Sequence, residues 1–194
     1  MPIPPFNSHG VLPPYRGELK ASNGSTRQLS TTSPYAATTR ELADRFATTP
    51  ERRTILRGFL EMRALMHRLQ LVEGFQWVDG PFLEDDRCRN GRAPDHIQVV
   101  TFFHPSPLYD DPDYFAHFAP LKNARVTREK FCVDHGVVNL NWNPMEIIDW
   151  TRHWSALFSH QADTGIWKGM LCISLHTLEE DSAARRILET STRR

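Results

Sequence analysis

The chain has 194 residues, 40% of them hydrophobic, and balances 23 Lys and Arg against 23 Asp and Glu. That length and apolar content suffice for one self-standing core. The balanced charge sets up no long-range field toward nucleic acid or a membrane surface, so neither is expected as a partner. No apolar run approaches the roughly 20 residues that span a bilayer, and Met1-Pro2-Ile3-Pro4-Pro5-Phe6 lacks the basic and apolar regions of a secretion signal. Cys88, Cys132 and Cys172 are widely spaced and odd in number. They fit neither a disulfide framework nor a zinc knuckle and point to a reducing compartment. These features predict a soluble, cytoplasmic protein.

Residues 1–34 read as a Pro-rich arm followed by a Ser/Thr-rich loop, and residues 35–194 as a single domain. The prolines of the arm keep it extended, and Ile3, Phe6, Leu12 and Tyr15 give it apolar side chains to lay on its own domain. A short helix is expected over about 36–46. A longer one begins at Thr49-Pro50, where Thr supplies an N-cap acceptor and Pro the preset first turn. Ile55, Leu56, Phe59, Leu60, Met62, Leu65, Met66 and Leu69 then recur at helical spacing up to Gly74. Phe75–Val78 reads as a strand closed by Asp79-Gly80-Pro81, and Ile97–Phe103 as a strand apolar on both faces and hence interior to a sheet.

Asp111-Pro112 starts a helix through Tyr114, Phe115, Phe118 and Leu121. Phe131–Asn141 is expected to be a third strand with a bulge at Gly136. Asn143-Pro144-Met145-Glu146 opens a further helix, whose Ile147, Trp150, Trp154, Leu157 and Phe158 are expected in the core. Trp167–Leu175 offers another strand and residues 179–190 a terminal helix. Strands and helices mixed around one sheet predict an α/β (α+β) layer fold.

Three blocks carry a resemblance. Ile3 to Pro14 reads Ile-Pro-x-Phe-Asn-x-x-Gly-x-Leu-Pro-Pro; Phe75 to Phe82 reads Phe-x-Trp-x-Asp-Gly-Pro-Phe; and Leu157-Phe158-Ser159-His160 leads through Asp163-Thr164-Gly165 to Trp167-Lys168-Gly169-Met170. Together with the order of elements, these resemble a small, poorly characterised bacterial family of the polymerase-β-like nucleotidyltransferase superfamily. The resemblance implies a mixed sheet flanked by helices and a Gly-Ser turn holding a triphosphate. It also implies three strand carboxylates holding two divalent ions that activate a hydroxyl and stabilise pyrophosphate.

On this chain the Ser of Gly-Ser is Pro81, which has no amide proton. The paired strand carboxylates fall on His96 and Gln98, and spacing puts the third on Asn139. Magnesium gains little from a neutral amide or imidazole. The expected catalytic positions are therefore degenerate, with no metal site and no cofactor. Asp79, Gly80, Pro81, Phe82 and Lys168 remain as nucleotide-binding positions. This describes a pseudoenzyme that binds a nucleotide or a protein partner. The alternative is an active, Mg- or Mn-dependent nucleotidyltransferase with relocated acids, which requires at least two carboxylates facing the turn at Gly80. A toxin–antitoxin or phage-defence role follows from analogy at family level.

Glu84-Asp85-Asp86 reads as a solvated acidic loop, Lys168 as an exposed strand lysine if it holds no phosphate, and His135 as a polar loop residue.

Overall fold

The structure, a computed structural model, describes residues 3–17, 31–86 and 91–190; Cys88 and most of the Ser/Thr-rich loop lie outside them. A five-stranded mixed sheet runs in the order β1-β5-β2-β3-β4. Its strands are β1 (Tyr35–Ala36), β2 (Gly74–Asp79), β3 (Ile97–Phe103), β4 (Val133–Asn139) and β5 (Leu171–Ser174). The helices are α1 (Thr39–Phe46), α2 (Pro50–Arg68), α3 (Pro112–Phe118), α4 (Ala124–Phe131), α5 (Pro144–Phe158) and α6 (Leu178–Thr190). The expected mixed α/β class holds.

Helix starts follow the capping chemistry of the sequence. Thr38 and Glu41 close a reciprocal capping box on α1, and Thr49 accepts from the Arg52 amide with Pro50 at the first turn of α2. Asp111 and Asn143 cap α3 and α5, each followed by proline. The expected strand from Phe131 is shorter, because Asn123 caps an additional helix, α4, that runs through Phe131. Cys132 then turns the chain in the left-handed region at φ 56° before β4 begins.

Strand alternation sorts β3 onto two cores. Ile97, Val99 and Phe103 face the larger one, built with residues of α1, α2, α3, α4 and α6. Val100 and Phe102 join Val138, Met170 and Phe158 in a smaller one, against which Trp154 of α5 also packs. Among the described residues, five helices thus cover one face of the sheet and a single helix the other.

Gly136 is no bulge: it stays in register opposite Val100, and a β-carbon there would collide with the Trp154 ring. The α5 expectation needs correction too. Phe158 is its one fully buried residue, whereas Trp150 is 44% and Leu157 52% exposed.

The N-terminal arm is docked, with Ile3, Val11 and Leu12 buried. Its backbone bonds to two distant loops, Gly10 O accepting from the Asp85 amide at 2.8 Å and Leu12 O from the Gly169 amide at 2.7 Å.

Candidate functional site

The site is built where β2 ends and β3 and β4 begin. Antiparallel pairing sets Asp79 beside Gln98, and parallel pairing sets Gln98 beside Asp134. Cross-strand partners share a face, so Asp79, Gln98 and Asp134 form a row across three strands. The Gln98 side chain lies against Gly80, where a β-carbon would come within 2.9 Å of its Cγ. Gly80 has φ 86°, a left-handed conformation that glycine adopts without strain.

This register corrects the assignment of Asn139. It pairs with Phe103, five residues further along β4 than Asp134, or roughly 17 Å at strand rise. Its Oδ1 accepts from the Asn141 amide at 2.8 Å and so serves the turn after the strand. The residue beside Gln98 is an acid, Asp134. Sequence spacing missed it because the extra helix α4 was not recognised, which moves the start of the strand by two residues.

The turn after β2 is closed. Pro81–Leu83 forms one turn of 3-10 helix, with the Leu83 amide bonded to Gly80 O and the Glu84 amide to Pro81 O. Phe82 is fully buried, packed 5.8 Å from the Phe46 ring, and its carbonyl accepts from Arg52 Nη1 at 2.7 Å. It faces the core, which removes it from the expected nucleotide contacts. Arg52 also holds Glu84 O and forms a two-point ion pair with Asp86. These backbone groups are already bonded within the fold.

At the end of the row sits a buried charge cluster. Lys168 Nζ lies 2.9 Å from Glu84 Oε1 and 3.1 Å from Asp79 Oδ2, and all three residues are less than 5% exposed. The segment Leu157–Met170 delivers this cation. Beyond α5 the chain doubles back, with His160 bridged to Trp167 and the Lys168 amide bonded to Ser159 O. Thr164 Oγ1 donates to Gln161 Oε1 at 2.6 Å, which orients the Gln161 amide to donate to Glu84 Oε2 at 3.0 Å.

Lys168 is therefore no exposed strand lysine, and Glu84 is no solvated acid. The sequence signal was present in the Phe75–Phe82 and Leu157–Met170 blocks, but nothing in their spacing shows that they meet.

Burial raises the Asp79 carboxyl to about 7, against the pull of Lys168 and the Gly80 amide. Its Oδ1 is buried without a well-formed hydrogen bond. For Lys168, burial works against the charge, but Asp79 and Glu84 outweigh it and hold the ammonium above its ordinary value. Next to the row, His96 Nδ1 lies 2.6 Å from Asp95 Oδ1, and Arg128 Nη2 lies 2.9 Å from Asp95 Oδ2. The hydrogen bond from His96 and the Arg128 contact hold Asp95 down at about 2. Arg128, Arg125, Glu129 and Asp134 border an open cleft of about 490 Å³.

Two carboxylates do flank the Gly80 turn, so the count required for relocated acids is reached. Their chemistry does not fit a divalent ion: Asp79 and Glu84 share the Lys168 ammonium, and Gln98 between Asp79 and Asp134 is neutral. Among the described residues, no group of three His, Cys, Asp or Glu side chains has a metal-holding arrangement.

His135 is also placed differently from expectation. It is buried in β4, with Nε2 2.7 Å from Thr101 Oγ1 and Nδ1 2.7 Å from Leu121 O. Burial pulls its pKa down to about 4.

Among the described residues, no helix is long and apolar enough to cross a membrane. No curated protein and no solved structure matches the chain. A family model described as a family of unknown function, DUF6932, matches residues 4–174, a span that includes nearly all of the three sequence blocks and the whole Asp79–Lys168 cluster. The chain belongs to that family.

Proposed function

We propose that this protein is a catalytically silent, nucleotidyltransferase-like module that binds a nucleotide or a protein partner in the cytoplasm and regulates through that binding. The observation that carries this reading is Lys168. Its ammonium lies between the two buried carboxylates nearest the Gly80 turn and supplies the positive charge that a divalent ion would otherwise bring. Replacing a metal by a tethered lysine keeps the electrostatic balance of the fold. It removes the Lewis acid that phosphoryl transfer relies on.

His96 and Gln98 place an imidazole and an amide where the resemblance implies carboxylates. On the nucleotide side, the cleft bordered by Arg125 and Arg128 offers guanidinium groups beside the row without requiring a metal. A role as the neutralising half of a toxin–antitoxin or phage-defence pair is compatible with such a module.

Two measurements test the proposal. Incubation with labelled nucleoside triphosphates and magnesium or manganese is expected to give no transfer to protein, RNA or small acceptors. Calorimetric titration with ATP, GTP, CTP and UTP is expected to give the same affinities with and without magnesium. Metal-dependent transfer that Asp79→Ala abolishes would overturn it. One observation favours the second reading, an active enzyme with relocated acids: Asp134, an acid, sits beside Gln98 in the row. That reading predicts that Asp134→Asn and Asp79→Asn each eliminate transfer.

A further inference from the structure

Most charged side chains around the cleft beside the Asp79 row are spent on one another. Of the arginines that border it, Arg125 pairs with Glu129 and Arg128 with Asp95, each at 2.9 Å. Asp134 differs. It stands second in β4, fixed by its pairing with Gln98, and it lines the cleft half-buried. Among the described residues its carboxylate has no hydrogen bond and no ion pair. It therefore meets the cleft as a charged acceptor with both oxygens unused. Arg128 borders the same space. A guanidinium carries five N–H donors in one plane, so the single bond from Nη2 to Asp95 steadies that plane and leaves donors over.

We propose that this cleft selects a guanine base, with Asp134 on its Watson–Crick edge and Arg128 on its O6. The inference rests on the nucleotide reading above and names which nucleotide the site takes. An ionised carboxylate only accepts, and it holds best to two donors side by side. Guanine presents N1–H and its 2-amino group next to each other, with the O6 acceptor beside them. Adenine and cytosine each set a ring-nitrogen lone pair beside one amino group. Uracil flanks its single N–H with two carbonyl oxygens. In those three bases a lone pair faces the Asp134 charge, and a site built on unmet hydrogen bonds rejects such a mismatch strongly. O6 is a favoured acceptor for arginine. The cleft volume of about 490 Å³ is that of a small-molecule site. These contacts are to the base, so none of them needs a divalent ion.

The test is calorimetric titration of the full chain, without magnesium, against GTP, ATP, CTP, UTP and the triphosphates of inosine and xanthosine. GTP is expected to bind about tenfold or more tighter than ATP, CTP or UTP, the discrimination of one good two-point contact. Inosine triphosphate lacks the 2-amino group and is expected to bind about tenfold more weakly than GTP. Asp134→Asn exchanges one acceptor oxygen for an amide donor. Xanthosine triphosphate has a carbonyl where guanosine has the 2-amino group, so this variant is expected to prefer it to GTP by about tenfold. Unchanged thermal unfolding shows that the variant is intact, and the wild-type comparison of GTP with inosine triphosphate needs no variant. Equal affinity of the wild type for all four common nucleotides, or an intact Asp134→Asn that still prefers GTP, overturns this inference and leaves the nucleotide reading standing. A wild type that binds none of them overturns both.

Discussion

Arg63 and Lys168 are both cations buried against carboxylates, Arg63 under the helix-rich face of the sheet and Lys168 at the end of the Asp79 row. Arg63 uses its whole fork: Nε reaches both oxygens of Asp181, Nη1 donates to Gln76 Oε1, and Nη2 to Ser174 O and Thr177 Oγ1. The network continues from Gln76 to Thr101 and from Thr101 to His135. Lys168 instead serves two acids with one charge, and Asp79 Oδ1 is left without a well-formed hydrogen bond. A completed network of planar donors fixes a fold. An excess of acid over base, held by one flexible lysine, stores an unmet electrostatic demand next to a turn. The first cluster reads as structure and the second as a site.

The largest expected effect tests the first cluster. Arg63→Met leaves buried Asp181 with only the Thr39 hydroxyl and the His67 ring beside it and is expected to cost about 3–5 kcal/mol in urea unfolding. Lys168→Met is expected to cost about 3 kcal/mol at pH 8, with the loss shrinking toward pH 5, because Asp79 can take up a proton in place of the lost cation. A pH-independent loss at Lys168 equal to that at Arg63 would erase the distinction between the clusters.

The two clusters also titrate with opposite signs. Asp79 has a folded pKa raised from 3.8 to about 7, so its contribution is fully present below pH 4 and is lost as pH rises through 7. His135 has a folded pKa lowered from 6.5 to about 4, so its contribution is present above pH 6.5 and is lost as pH falls through 4. A tenfold change in proton affinity is worth about 1.4 kcal/mol, and over pH 4–6.5 the two slopes offset. Asp79→Asn should therefore leave a stability that rises with pH across that window. His135→Gln should leave one that falls. Parallel profiles for the two variants would show that these groups do not control the pH response.

The smallest effect concerns a single orientation. Thr164→Val removes the hydroxyl that fixes the Gln161 amide and is expected to cost about 1 kcal/mol.

Much of the scaffold was legible because local chemistry wrote it: Thr49-Pro50, Asp111-Pro112 and Asn143-Pro144 each open a helix, and the strand Ile97–Phe103 has its expected bounds. The site was legible in part. Asp79, Gly80 and Lys168 do come together, but the partnership of Lys168 with Glu84 spans 84 positions of sequence and no local rule encodes it. Asn139 was misassigned because Asn123 and the polar run after it hid a helix, and the register depends on where that helix ends. Trp150 and Leu157 were expected in the core because helical periodicity reports an apolar face without reporting whether anything within the same chain covers it.

The docked arm sets an order on synthesis. Ile3, Val11 and Leu12 are made before the segments that seat them, because the Gly169 amide that Leu12 O accepts from comes more than 150 residues later. Until then the arm's apolar side chains lack the last part of their seat, and the loops carrying Glu84 and Lys168 lack the strand of backbone bonded to both. Contacts of such long separation close late in folding. The charge cluster, whose Glu84 and Lys168 stand 84 positions apart, is therefore expected to close late as well.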